Sequence, residues 1–302
     1  MTKIFFTLMI TLSLASHSAL AKDLLVSLAN IPNPGFSLFL DEMAKHHKQG
    51  GFEYVTYPFP RSVKNAIKGK TNFHMPLLKN PLIPNKELPY VYSTESFAKV
   101  SFVIYSNNKK KLSRDKLNSH IYSVTRTLLN STIFPQGKED ELKVLIGEHY
   151  SWPKLSAKFK SILGGQFWTD NNVKIGLAMF PYKIETERNH VYFFPFPTIP
   201  TSKLGSALKK VNAGRTDGFV LAQEECDSII RTNKLSNIHR ALYQTYDAKF
   251  IIGRSTDIES TDKSITMIIE KMKQEGSFER LSTNIHGPYI DWQPYKSLQS
   301  FK

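Results

Sequence analysis

The sequence predicts an α/β protein of two similar lobes, each a mostly parallel sheet flanked by helices. Three observations carry this. Residues 23–57 run strand, helix, strand, the order that builds a parallel sheet by crossovers. A strand–helix–strand unit then occurs twice, at Phe52–Leu78 and at His190–Cys226. The two copies share details: Pro58-Phe59-Pro60 matches Pro195-Phe196-Pro197, and Gly69-Lys70-Thr71-Asn72 matches Gly214-Arg215-Thr216-Asp217. Two distant copies suggest paired lobes, because a solenoid needs at least three adjacent ones.

The chain opens MTKIFFTLMITLSLASHSALA, with Lys3 as basic start, Ile4 to Leu14 as apolar run and Ala19-Leu20-Ala21 as cleavage site. The apolar run is well short of the roughly 20 residues a spanning helix needs. Residues 1–21 are therefore identified as a cleaved secretory signal, which makes the protein periplasmic. Cleavage of 21 residues from 302 leaves 281, enough for two lobes. Cys226 is the single cysteine, so there is no intramolecular disulfide and no cysteine-built metal site. The formal charge is +14, and the signal removes only Lys3 from it. Such a surface favours anionic ligands or an anionic membrane face. No nucleic-acid recognition motif accompanies it, so nucleic acid is not an expected partner. The run Lys109-Lys110-Lys111 reads as a solvated loop between the lobes.

In order, DLLVSLAN (23–30) is a buried-type strand, broken by IPNPG. FSLFLDEMAKHH (36–47) is a helix with Phe36, Phe39, Leu40 and Met43 on one face and histidines at its C-terminal end. FEYVTY, RSVKNAIK and a strand from Thr71 form the first copy of the repeat. YVYSTES (90–96) and KVSFVIYSN (99–107) are two strands around a polar corner at Ser93-Thr94. SRDKLN (113–118) is a short helix and HIYSVTRTLL (120–129) a strand, after which 130–188 elaborates the second lobe. In the second copy HVYFFPF is the strand, SKLGSALKKV the helix, and FVLA the returning strand. CDSIIRTN is helical, DAKFIIGR (247–254) a strand, and SITMIIEKMKQEGSFERLSTNIHG two helices broken at Gly276, ahead of an aromatic tail.

This order, with Pro60-Arg61 to Asn72, Tyr92-Ser93 to Ser106, Lys210 to Gly218 and Phe250 to Ser282, resembles the family 3 extracellular solute-binding proteins. The resemblance implies the type II periplasmic binding protein fold. Its lobes would be 22–108 with the return segment 224–302, and 109–223. It also implies a monomer that closes on a small polar or anionic solute and delivers it to the permease of an ABC transporter. An alternative is a ligand-sensing partner of a membrane receptor, a kinase or cyclase, and a third is an enzyme on this fold. No cofactor or metal is expected, and no catalytic motif is present. Family members that bind amino acids carry a carboxylate-clamping arginine where this chain has Leu78 to Glu87, and an aspartate where it has Ala222. An ordinary α-amino acid is therefore not the expected ligand.

Ligands in open α/β sheets sit beyond the carboxyl ends of strands, near helix N-termini. The candidates at those edges are Tyr57, Phe59, Arg61, His74, Ser93, Thr94, Arg126, Phe196 and Glu224. Arg61 and Arg126 could grip an acid group from two sides, or lie in surface ion pairs. Phe59 and Phe196 could sandwich an apolar body, or belong to the lobe cores. His74 is a ligand contact or a satisfied structural group. Glu224 either faces the cleft or serves only the helix dipole.

Overall fold

Leu24, Val26 and Leu28 are buried on β1 (Leu24–Ala29), and the strand is covered on both faces. Such a strand takes an interior place, and β1 lies between β2 (Phe52–Tyr57) and β3 (Phe73–Leu78), parallel to both. The computed structural model describes residues 23–48, 50–119 and 180–297, with Gly137 and Ala157 besides. Within them eight strands form one curled sheet in the order β2-β1-β3-β8-β4-β7-β5-β6. The remaining strands are β4 (Tyr90–Asn107), β5 (Ile184–Glu187), β6 (Ile199–Thr201), β7 (Gly218–Ala222) and β8 (Ile238–Gly253). β2-β1-β3 at one end mirrors β6-β5-β7 at the other, and the long antiparallel pair β4/β8 runs between them. This is a two-lobed type II periplasmic binding protein fold.

The repeat read from the sequence is present atom for atom at one place. α2 (Phe59–Ile67) and α3 (Leu204–Asn212) both end on a glycine in the left-handed region, Gly69 at φ 67° and Gly214 at φ 71°. Beyond them, Asn72 accepts from the Leu25 backbone N–H at 2.7 Å, and Asp217 accepts from that of Lys183 at the same distance. Each backbone N–H also returns a bond, Asn72 to Leu25 and Asp217 to Lys183. One side chain thus ties the end of each crossover helix to the start of the neighbouring parallel strand.

HVYFFPF is not a strand: Arg188–Phe193 is a 3-10 turn, capped by the Glu187 carboxylate, which accepts from the Asn189 N–H. The strand equivalent to β2 is the three-residue β6 beyond Pro195 and Pro197, a sheet edge where Pro200 is tolerated. The expected strands 90–96 and 99–107 are one strand, β4, whose register against β8 shifts at Tyr92/Ser96, Ser96/Ala98 and Phe102/Val103. Those irregularities absorb the polar corner at Ser93-Thr94 without ending the strand.

α1 (Gly35–His46), α5 (Ile258–Gln274) and α6 (Ser277–Ile285) cover one face, where Phe250 packs against Phe39, Phe73 and Phe97 with centroids 5.1–6.5 Å apart. α2 lies on the opposite face, close enough to β8 that a side chain at Gly253 would collide with the Ala66 carbonyl. In the second lobe α4 (Gln223–Thr232) packs beside α3 and β7, and the tail with α7 (Pro294–Ser297) lies along β8. The lobe limits expected at 108 and 223 fall inside the second lobe, because the end of β4 pairs with β7 and α4 packs beside α3 and β7. Strand 120–129 and the signal 1–21 lie outside the described residues.

Candidate functional site

The register fixes where a site can form. β1 and β3 end at Ala29 and Leu78, β5 and β7 at Glu187 and Ala222, and all four ends face the middle of the β4/β8 crossing. Helix N-termini accompany them. After β1 the Asn33 side chain accepts from the Gly35 N–H at 2.8 Å, closing the turn into α1. A hollow of about 290 Å³ opens there, lined by Asn30, Ile31, Asn33, Ser37 and Thr56. After β2, Pro58 leads straight into α2, with Pro60 in its first turn, where a missing N–H costs nothing.

Tyr57 is half-buried at the end of β2, opposite Ala29. Phe59 is 37 % exposed, its ring edge-on to His74 at 5.6 Å. Arg61 is exposed in the first turn of α2, and no described residue forms an ion pair with it. These three share one rim of the first lobe. His74 lies beneath them and is wholly buried. Its Nε2 faces the Pro76 carbonyl at 3.0 Å, an acceptor only, so Nε2 carries the proton and Nδ1 accepts from the Ser62 hydroxyl at 2.7 Å. Burial lowers its pKa to about 4, and both nitrogens are occupied. His74 pins α2 to β3 and has no nitrogen left for a solute.

Ser93 and Thr94 lie in the crossing. The Ser93 hydroxyl donates to the Glu95 carbonyl at 2.6 Å and accepts from the Phe250 N–H at 3.3 Å. Thr94 donates its N–H and hydroxyl to the two Asp262 carboxylate oxygens of α5, at 2.8 and 2.6 Å. Phe196 is fully buried, stacked on Phe180 at 5.7 Å and set against Tyr243, so it belongs to the second lobe's core and does not oppose Phe59. Glu224 is in the first turn of α4, its carboxylate 3.6 Å from His286 Nδ1 beyond α6. Arg126 lies outside the described residues.

Several contacts at the crossing and between the lobes had no clear signal in the sequence. Asn80, two residues past β3, donates from Nδ2 to the Tyr192 carbonyl in the 3-10 turn at 2.8 Å. Tyr246 donates to the Phe193 carbonyl at 3.3 Å. Lys249, buried in β8, donates to the Ser93 and Thr94 carbonyls at 2.9 and 2.7 Å, and burial lowers its pKa. The tail supplies a third crossing: Gln223 donates to the Gly287 and Pro288 carbonyls at 3.3 and 2.8 Å. A second hollow, of about 690 Å³, lies where the crossing strands meet α6 and this tail. Its charges answer one another, Lys99 to Asp247 at 3.3 Å and Lys273 to Glu95 at 2.6 Å. Among the described residues no group of three histidine, cysteine or acidic side chains could hold a metal.

Two α/β lobes whose strand ends face each other across three chain crossings define the class of fold. The sequence matches no protein-family model and no curated protein. Among solved structures, one described for glutathione import via GshT and the cystine ABC importer TcyBC of Streptococcus mutans is 14% identical, with a TM-score of 0.50, over 90% of this chain and 98% of that one. The GluR0 ligand-binding core of Nostoc punctiforme, in complex with L-glutamate, is 13% identical with a TM-score of 0.49, over 88% and 100%. A histidine kinase sensor domain with similarity to periplasmic binding proteins gives 13% and 0.47, over 89% and 98%. At this identity the likeness is one of fold.

Proposed function

We propose that this protein is a periplasmic solute-binding protein that captures a small polar or anionic solute between its lobes. It works as a binder without turning the solute over, and hands it to the membrane permease of an ABC transporter. The same closure would serve a ligand-sensing role beside a membrane receptor, since both readouts need one liganded shape. The observation that carries the reading is the placement of strand carboxyl ends and helix N-termini from both lobes around one gap.

Arg61 is the residue of this rim best suited to an acid group. A cation in the first turn of a helix opposes the helix dipole, and here no described carboxylate offsets it. A guanidinium held in that position offers two parallel donors to a carboxylate or phosphate. Arg126, expected from the sequence to face it from the other lobe, is the proposed opposing grip. The test is calorimetry of Arg61→Ala against whatever solute co-purifies with the parent. A desolvated grip predicts a loss of about 2–5 kcal/mol. Unchanged affinity would move the grip to the aromatic rim at Tyr57 and Phe59.

A further inference from the structure

The positive charge is not spread evenly. At the end of the second lobe farthest from the gap, the finish of β4 and the starts of β5, β7 and β8 come together. Hydrogen bonds tie their flanking turns into one surface. Asn107 donates to the Val211 and Asn212 carbonyls at 3.1 and 3.3 Å, Asn108 donates to the Ser236 carbonyl at 3.3 Å, and the Asn237 N–H donates to Asn212 at 2.9 Å. Lys110 pairs with Asp217 at 2.6 Å, and Asp217 in turn holds the Lys183 N–H. Segments 107–117, 183–185, 209–217 and 233–237 thus form a pole. The lysine run expected between the lobes is at this pole instead.

These four segments carry ten lysines and arginines against three acids, a net of +7. The rest of the described chain has twenty against eighteen, close to neutral. Helix ends account for part of the pole, since Lys209 and Lys210 answer the C-terminal carbonyls of α3. They do not account for Lys109, Lys110 and Lys111, which precede the helical turn at 114–119, where the dipole disfavours cations. That run is exposed yet firmly set. Leu112 and Leu117 are buried beside it, and the Lys109 and Lys110 N–H groups bond Asn107 at 3.0 and 2.9 Å.

We propose that this pole docks on an anionic phospholipid surface, holding the protein beside the membrane. Exposed cations on four separate turns, rather than lining a groove, suit a smeared layer of headgroup charge. Each lysine or arginine near such a surface adds to the attraction. The inference takes from the proposed function only that the chain works at a membrane. Its test involves no solute, so the two can fail separately.

The experiment is co-sedimentation of the full mature chain with vesicles of phosphatidylglycerol and phosphatidylcholine, and with phosphatidylcholine alone, at low and high salt. Two charge-matched variants are compared, each required to melt with the parent. One reverses the pole by Lys109→Glu, Lys111→Glu and Arg215→Glu. The other reverses exposed positions on the first lobe by Lys70→Glu, Lys86→Glu and Arg280→Glu. The expected result is phosphatidylglycerol-dependent, salt-sensitive binding that falls about tenfold or more in the pole variant, and much less in the control. Equal losses in both variants would reduce the effect to net charge and overturn the proposal. Absence of binding to anionic vesicles at low salt would overturn it too, as would capture by soluble polyglutamate but not by vesicles, which would point to an acidic protein partner.

Discussion

At the scale of residues, His74 has the most definite consequence. It is neutral in the fold because burial outweighs its two hydrogen bonds, and its pKa drops to about 4 from an ordinary 6.5. The unfolded chain therefore takes up a proton below pH 6.5 that the folded chain refuses until about pH 4. This contribution to stability is present above pH 6.5 and is lost as pH falls through that window, to a total of about 3 kcal/mol. Urea melts of the parent and His74→Gln at pH 7, 5.5 and 4.5 should show a shallower pH dependence in the variant. Parallel curves would mean that His74 takes up its proton as readily in the fold as in the unfolded chain. The two Pro-Phe-Pro corners show how far local sequence can mislead. Pro58-Phe59-Pro60 starts a helix and leaves Phe59 at the rim, whereas Pro195-Phe196-Pro197 precedes a three-residue strand and buries Phe196. The tripeptide is identical, and what differs is whether a helix follows at once. By contrast, Asn72 and Asp217 were legible as a pair, because both answer the same backbone group one residue before a strand.

At the scale of elements, the tail is fastened by a buried ion pair. Arg240, in β8, donates from Nε and Nη2 to the two Asp227 oxygens of α4 at 2.9 and 2.7 Å, and from Nη1 to the Ile290 and Trp292 carbonyls at 2.9 and 2.7 Å. Trp292 stacks on the guanidinium at 4.7 Å and donates its indole N–H to Asp227 at 2.9 Å. Arg240→Met should cost about 3–5 kcal/mol, because Asp227 is left buried without its cation. Hydrogen exchange should then speed up across 287–293 well before the core of the first lobe. Uniform acceleration would mean that the tail is not a separate strap. The packing of α2 gives a second expectation. Gly253→Ala forces α2 off β8 and should cost about 1–3 kcal/mol by overpacking, read as a lower urea midpoint. Helices α1, α5 and α6 were legible from their apolar faces. The first half of β8 was not, because Ile238 to Tyr246 mixes exposed and buried positions without a clean alternation. Neither was Lys249, whose partners are carbonyls of a distant strand and leave no mark in the local sequence.

At the scale of the whole molecule, the two-lobed plan was legible because the repeat is written in capping and turn residues. The way the lobes meet was not, since it depends on single long-range bonds such as Asn80 to Tyr192 and Gln223 to the tail. The central claim is that a solute is held between lobes that close on it. Small-angle scattering of residues 22–302, stripped of bound solute and then titrated with a fractionated metabolite extract, tests this most directly. The account expects one fraction to reduce the radius of gyration and raise the melting temperature together, with the solute recovered intact afterwards. An unchanged radius in every fraction, with no thermal shift, would contradict capture between the lobes, and recovery of a converted product would place an enzyme on this fold instead.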